Sequence, residues 1–250
     1  MDNPIDIREE GGVRYLHFGT DWVQGAMRIR TPFALELAYT REMLTALLLH
    51  DGPWPRRILS IGLGAGSLAK FIYRKLPDSH HTIVEIEPRV AAIAQSCFNL
   101  PRPDSRMALE IEDGLAFMEH TTDQWDLVLL DAYDHDVKTG PFTSIDFYRT
   151  VKSRLSDQGV LSINLFNRAR RYESTTSRLG YAFDDRAIHF PSTDEGNYIG
   201  LAFNGERVQS DEATLRTRAE VLKEDTGLDL RPVIARLLSA GNARHGKLDL

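Results

Sequence analysis

From residue 57 to residue 203 the chain alternates two hydrophobic rhythms. Short apolar runs that end in glycine or an acid, RILSIGL, HTIVEIE, MALEIED and WDLVLLD, are each followed by polar stretches with apolar residues three and four apart or by a turn-rich loop. The first rhythm predicts strands and the second amphipathic helices. The expected order is strand 57–63, a helix from about Ser67, strand 81–87, helix 88–98, strand 107–113, helix 114–120 and strand 125–131. Beyond a loop come helix 144–155, strand 159–165, a helical stretch over 171–179, and strands 186–190 and 197–203 joined by a turn. Ahead of this core, GVRYLHFG predicts a strand entering a hairpin-like segment that runs to about Ile29, and 32–50 predicts one helix closed by DGPWP. The tail over 211–238 reads as largely helical. Such alternation specifies an α/β, Rossmann-like fold, with a mostly parallel sheet covered by helices and an antiparallel pair at its end. Residues 1–30 are expected to form a small β-rich extension and 31–250 a nucleoside-binding catalytic domain.

Ligands in such sheets sit outside the carboxyl ends of the strands, near the point where strand order reverses. Four predicted strand ends carry glycine or acids. Gly62, Gly64 and Gly66 follow the first, where missing side chains permit close backbone approach to a ligand and the next helix offers free N–H groups. Glu85 and Glu87 end the second strand about 20 residues on, where an acid can accept both hydrogen bonds of a ribose diol. Glu85 is the better candidate, since Glu87 is placed to cap the helix starting at Pro88. Asp113, before Gly114, fits either the exocyclic amine of an adenine or a helix N-cap. Asp131, Asp134 and Asp136 crowd the fourth end and favour a cationic or amine ligand.

The order Gly-x-Gly-x-Gly, Glu-Ile-Glu-Pro, Asp-Gly and Asp-x-x-Asp, with GPFTSIDFY further on, resembles the spermidine and spermine synthase family, the polyamine aminopropyltransferases. That family lies within the S-adenosylmethionine-dependent transferase folds. The resemblance runs from about Trp22 to Phe203. It implies aminopropyl transfer from decarboxylated S-adenosylmethionine, or use of S-adenosylmethionine itself as co-substrate, with a small-molecule amine as acceptor and no metal. By position it implies that Gly62, Gly64 and Gly66 face the methionine-derived part of the donor, Glu85 the ribose and Asp113 the adenine. It makes Asp131 the catalytic aspartate and Asp134 the second acid holding the amine, with Gln24 and Tyr39 as further substrate contacts. The family often dimerises through its amino-terminal strands, so a homodimer is a further implication. The chain also departs from the pattern. Ala65 stands where the family has the loop aspartate that binds the aminopropyl end, Ser67 replaces a glycine, and Tyr133 enters the acceptor loop. Ala65 moves weight toward one alternative, methyl transfer to a small acceptor on the same fold; a nucleoside-binding or interaction protein without turnover is a third reading, disfavoured by the retained acids.

Composition narrows the field. Thirty-six acids against 30 lysines and arginines leave a net charge of −6, without the basic footprint of a nucleic-acid binder. No stretch approaches the roughly 18 apolar residues of a membrane span. MDNPIDIREEGG lacks the basic and apolar parts of a secretion signal, and the single cysteine, Cys97, suits a reducing compartment, so a cytoplasmic setting is expected. Cys97 reads as a buried structural thiol, His80 and His81 as a solvated turn, and Trp22 as a packing residue.

Overall fold

The computed structural model of the chain describes residues 4–20, 22–132, 140–166, 169–194, 196–205, 207–240 and 247–249. Strands β1 (Ile5–Glu10), β2 (Val13–Phe18) and β3 (Val23–Arg28) form an antiparallel sheet in sequence order. Gly11 and Gly12, both at positive φ, make the two-residue turn between the first pair. The sequence reading lacks β1, whose only apolar residues are Ile5 and Ile7.

The helix expected over 32–50 is not continuous. Turns lead into α1 (Ala38–Glu42), which passes directly into a 3-10 segment, Met43–Leu48. Leu37 provides no side-chain cap, and the Tyr39 N–H is instead met by Asp194 from a distant loop at 2.8 Å. Met43, Leu44, Thr45, Ala46 and Leu48 are all buried, and Ser162 donates to the Met43 carbonyl at 2.7 Å. A segment buried on nearly every side follows the core around it rather than a single amphipathic stripe.

The main sheet comprises β4 (Arg57–Ile61), β5 (His80–Glu85), β6 (Met107–Ile111), β7 (Trp125–Leu130), β8 (Leu155–Phe166), β9 (Ala187–Pro191) and β10 (Asn197–Phe203). Its order is β6-β5-β4-β7-β8-β10-β9. Strands β4 to β8 pair in parallel, while β10 runs antiparallel to both β8 and β9. The helices α2 (Ser67–Lys75), α3 (Pro88–Cys97), α4 (Gly114–His120), α5 (Ile145–Ser153) and α6 (Ala169–Ala182) connect or cover them. Alternate residues of the central strands feed different cores: Ile58, Leu127 and Leu129 pack in one, Leu59, Ile61, Val128 and Leu130 in another. This two-sided burial explains their nearly unbroken apolar runs. Strand order reverses between β4 and β7, which puts the ligand crevice beside the glycine loop. The tail contains β11 (Gln209–Asp211), α7 (Glu212–Thr226), α8 (Arg231–Ala240) and β12 (Lys247–Asp249); the small β11–β12 sheet is absent from the sequence reading. Among the described residues, no helix is long and apolar enough to cross a membrane.

Two expectations fail here. His80 and His81 belong to β5, not to a solvated turn, and His81 is only 3% exposed, with Nε2 2.8 Å from the Ser60 hydroxyl. Cys97 is half-buried at the end of α3 rather than enclosed. Burial pulls the His81 pKa from 6.5 down to about 3, so the fold holds the neutral imidazole. The unfolded chain gains a proton below about pH 6.5 that the folded chain refuses until much lower, so acid favours unfolding. Urea midpoints should therefore fall steadily as pH drops from about 6.5 to about 4, and His81→Asn should flatten that slope.

Candidate active site

Strand β4 delivers its chain into Gly62, Leu63, Gly64, Ala65 and Gly66, the three glycines taking φ of 96°, 53° and 68°. A side chain at Gly62 would strike the Asp131 carbonyl at the end of β7, and one at Gly64 would come within 3.0 Å of the Gln24 carbonyl on β3. The glycines thus admit two neighbouring strands to the loop as well as leaving its backbone open to the crevice. Ser67 adds a tie, donating to the Ala26 carbonyl at 3.1 Å. Ala65 is 2% exposed and faces Gly25, where a Cβ would lie 2.5 Å from the Ala65 methyl and 2.9 Å from its nitrogen. Strand β3 therefore fills the space beyond residue 65.

Glu85 ends β5 and is 8% exposed. Its Oε2 accepts the Leu63 N–H and its Oε1 the Glu87 N–H, each at 2.9 Å. Burial raises its pKa, while these backbone donors and Gly64 pull the other way. Glu87 is the N-cap of α3, accepting the Arg89 N–H at 3.0 Å and pairing with its guanidinium at 2.8 Å. The geometry therefore separates the two acids as expected: Glu85 lines the crevice and Glu87 caps. Asp113 caps α4, with Oδ1 accepting the Leu115 and Ala116 N–H groups at 2.7 and 3.4 Å. It also borders the crevice, so the cap leaves a ligand contact open.

Asp131 is half-buried at the carboxyl end of β7. The Asn164 amide on β8 donates to its Oδ1 at 2.9 Å, and the Tyr39 hydroxyl donates to the same carboxylate. Asn197 on β10 fixes the Asn164 orientation by donating to its Oδ1 at 2.7 Å. Desolvation raises the Asp131 pKa, and the Asn164 and Tyr39 donors oppose it by favouring the anion. Asp134, together with Tyr133 and Asp136, lies outside the described residues.

These side chains surround one cavity of about 590 Å³, within the range of small-molecule sites. It brings together Gln24, Tyr39, Gly62, Gly64, Glu85, Asp113 and Asp131; Gly66, also expected at the ligand, is not part of this lining and packs against Leu100. Trp22 stands at its rim, 48% exposed, contrary to the packing role read from sequence. The sequence reading missed Asn164, Asn197 and Asp194, which line the same space. Asn164 leaves a signal, an amide inside the apolar run SINLF; Asp194 sits in the turn before β10 and Asn197 at the first position of β10, and the placement of both depends on that strand's antiparallel return. The ionisable lining is acidic, Glu85, Asp113, Asp131 and Asp194 beside the Tyr39 phenol, with no lysine, arginine or histidine among the described residues.

The spermine/spermidine synthase domain matches residues 36–167. A polyamine aminopropyltransferase of Neisseria meningitidis is 33% identical over 97% of this chain and 92% of that protein. A probable spermidine synthase from Corynebacterium glutamicum superposes with a TM-score of 0.73 at 19% identity, over 98% of this chain and 86% of the other. Human methyltransferase-like protein 13, solved in complex with SAH, gives 0.68 at 24% identity over 76% and 93%, a likeness of fold. With more than half of its length in the matched domain and a relative of this identity along nearly all of it, the chain belongs to the spermine/spermidine synthase family.

Proposed function

We propose that the protein transfers an aminopropyl group from decarboxylated S-adenosylmethionine to a polyamine-type amine. The observation that carries this reading is the charge of the cavity: four carboxylates face a space in which both donor and acceptor are cations. The nucleoside would lie along the glycine loop, its ribose hydroxyls on Glu85 and its adenine near Asp113. The acceptor amine is protonated in water and must lose a proton before its lone pair can attack. Asp131 would draw in the ammonium and take that proton as general base. The nitrogen then forms a bond to the propyl carbon, the carbon–sulfur bond breaks, and sulfur leaves with the electron pair as neutral methylthioadenosine. Loss of the sulfonium charge makes the leaving group good without a further acid. Alignment of nitrogen, carbon and sulfur can contribute on the order of 7 to 11 kcal/mol.

Methyl transfer is the second reading, and Ala65 is what favours it: no side chain there can pair with the donor's aminopropyl ammonium. Against it, a carboxylated donor would bring an anion into acidic surroundings. Calorimetric titration separates the two. Decarboxylated S-adenosylmethionine should bind about tenfold or more tightly than the carboxylated form, the scale of one charge-assisted interaction; the reverse preference overturns the reading. The same reading puts the protein in the cytoplasm, in keeping with its one cysteine, and Val23 and Ile29, exposed apolar residues of the β1–β3 region, would suit a homodimer contact.

The pH profile reports on the base. Asn164 holds the Asp131 pKa down by hydrogen-bonding its anion, so Asn164→Leu should raise that pKa further. The acid limb of kcat/KM then moves to higher pH than in the wild type, measured with one acceptor under matched conditions.

A further inference from the structure

We infer that Arg236, on the carboxy-terminal helix α8, is a positioning residue for the base: through Glu42 it holds α1 so that the Tyr39 hydroxyl stays on the Asp131 carboxylate. Naming Asp131 the base rests on the aminopropyl-transfer reading above; the linkage itself does not. Glu42 closes α1 and is 4% exposed. Among the described residues its only cation is Arg236, whose guanidinium donates to Oε1 at 2.6 Å. The same oxygen accepts the Thr193 N–H at 3.3 Å and its hydroxyl at 3.2 Å, while Oε2 is buried with no partner among the described residues. Tyr39 stands three residues earlier on the same helix, so the two side chains are neighbours on one face. Its hydroxyl donates to Asp131.

Helix α1 cannot hold this arrangement by itself. It has five residues, and its N-cap, Leu37, offers no side-chain hydrogen bond. A helix this short draws its stability from what it packs against. Helix α8 is the firmer element: Val233, Ile234 and Leu237 are buried in the same core as Met43 and Leu44. The Arg236 guanidinium also donates to the Pro191 carbonyl and lies 5.8 Å from the centre of the Phe190 ring. Removing this cation leaves Glu42 as an uncompensated buried charge. Relief lies in turning the carboxylate toward water, and α1 must shift to allow it. The Tyr39 hydroxyl then leaves Asp131, whose remaining described donor is Asn164. The other titratable groups of the cavity, Glu85, Asp113 and Asp194, are acids whose anions cannot stand in for the lost donor.

The Asp131 carboxyl is followed directly, by the NMR signal of its carboxyl carbon in full-length protein with isotope-labelled aspartate, assigned as the resonance missing from Asp131→Asn. Arg236→Gln should move its titration upward by about one pH unit, the scale of one hydrogen bond to a carboxylate. Tyr39→Phe should do the same, and Arg236→Gln added to Tyr39→Phe should move it no further, since both act on one bond. Arg236→Lys keeps the cation and should restore most of the wild-type titration. If Arg236→Gln folds poorly, Glu42→Asp, which keeps the charge and withdraws it by one methylene, should repeat the upward shift. A merely structural Arg236 would lower the thermal midpoint and leave the titration where it was. That result, a full further shift on top of Tyr39→Phe, or no recovery with Arg236→Lys overturns the inference. The aminopropyl-transfer reading is judged separately, by whether wild-type protein releases methylthioadenosine from decarboxylated S-adenosylmethionine. Where it does, the acid limb of kcat/KM should follow the Asp131 titration in Arg236→Gln and Arg236→Lys.

Discussion

Asp131→Asn is expected to lower turnover by about a hundredfold to ten-thousandfold, the usual contribution of a general base. The amide has nearly the shape of the carboxylate, and its oxygen can still accept from Asn164 or Tyr39, the two groups that hold residue 131. Methylthioadenosine affinity should therefore remain within a few fold, because the proposed arrangement lays the donor on the glycine loop, Glu85 and Asp113 rather than on this side chain. Steady-state release of methylthioadenosine, set beside its binding to the same preparation, checks both halves. Turnover that survives the substitution would remove Asp131 from the role of base, and a parallel loss of donor binding would make it a structural residue.

Gly62→Ala should have the largest effect on the fold itself. The φ of 96° lies where an L side chain is strained, and the added methyl meets the Asp131 backbone carbonyl, which cannot turn aside. The Gly62 N–H is also bonded to the Val84 carbonyl at 2.9 Å, so the loop cannot shift without breaking a sheet contact. Strain and overpacking together should cost about 3 kcal/mol or more. Donor affinity should fall with it, because any accommodation moves the strand end that carries Asp131. Gly64→Ala is the comparison: its φ of 53° is a left-handed position, and the nearest atom, the Gln24 carbonyl oxygen, is 3.0 Å away. That change should cost about 1 to 2 kcal/mol. Urea unfolding of both variants gives the ranking, and a Gly62→Ala loss no greater than that of Gly64→Ala would contradict the steric account.

The contact between Ala65 and Gly25 gives the family departure a physical form. Residue 65 is enclosed by β3, so its side chain serves packing between the amino-terminal sheet and the glycine loop. Recognition of a cationic donor would then fall to the other acids of the cavity.

The parallel core was legible because its strands are buried on both faces and end in residues that punctuate them: Gly62, Glu85, Asp113 and Asp131 all stand at or just beyond strand ends. Pattern alone also separated Glu85 from Glu87, since one precedes a proline-started helix and the other ends a strand. The segment 38–48 was not legible, because its nearly uniform burial suits a long helix as well as a short helix with a 3-10 turn. His81 misled for a related reason: a histidine beside another beside a turn looks solvated, and only the adjacent strand reveals the Ser60 hydroxyl that receives it. Asn197 and Asp194 approach Asp131 and Tyr39 only once β10 folds back antiparallel to β8. No local spacing encodes that return.

The most direct test of the account is product identity. Wild-type protein incubated with decarboxylated S-adenosylmethionine and putrescine should yield methylthioadenosine and aminopropylated amine in equal amounts by mass spectrometry. Methylated amine formed from S-adenosylmethionine, with the decarboxylated donor left intact, would contradict it.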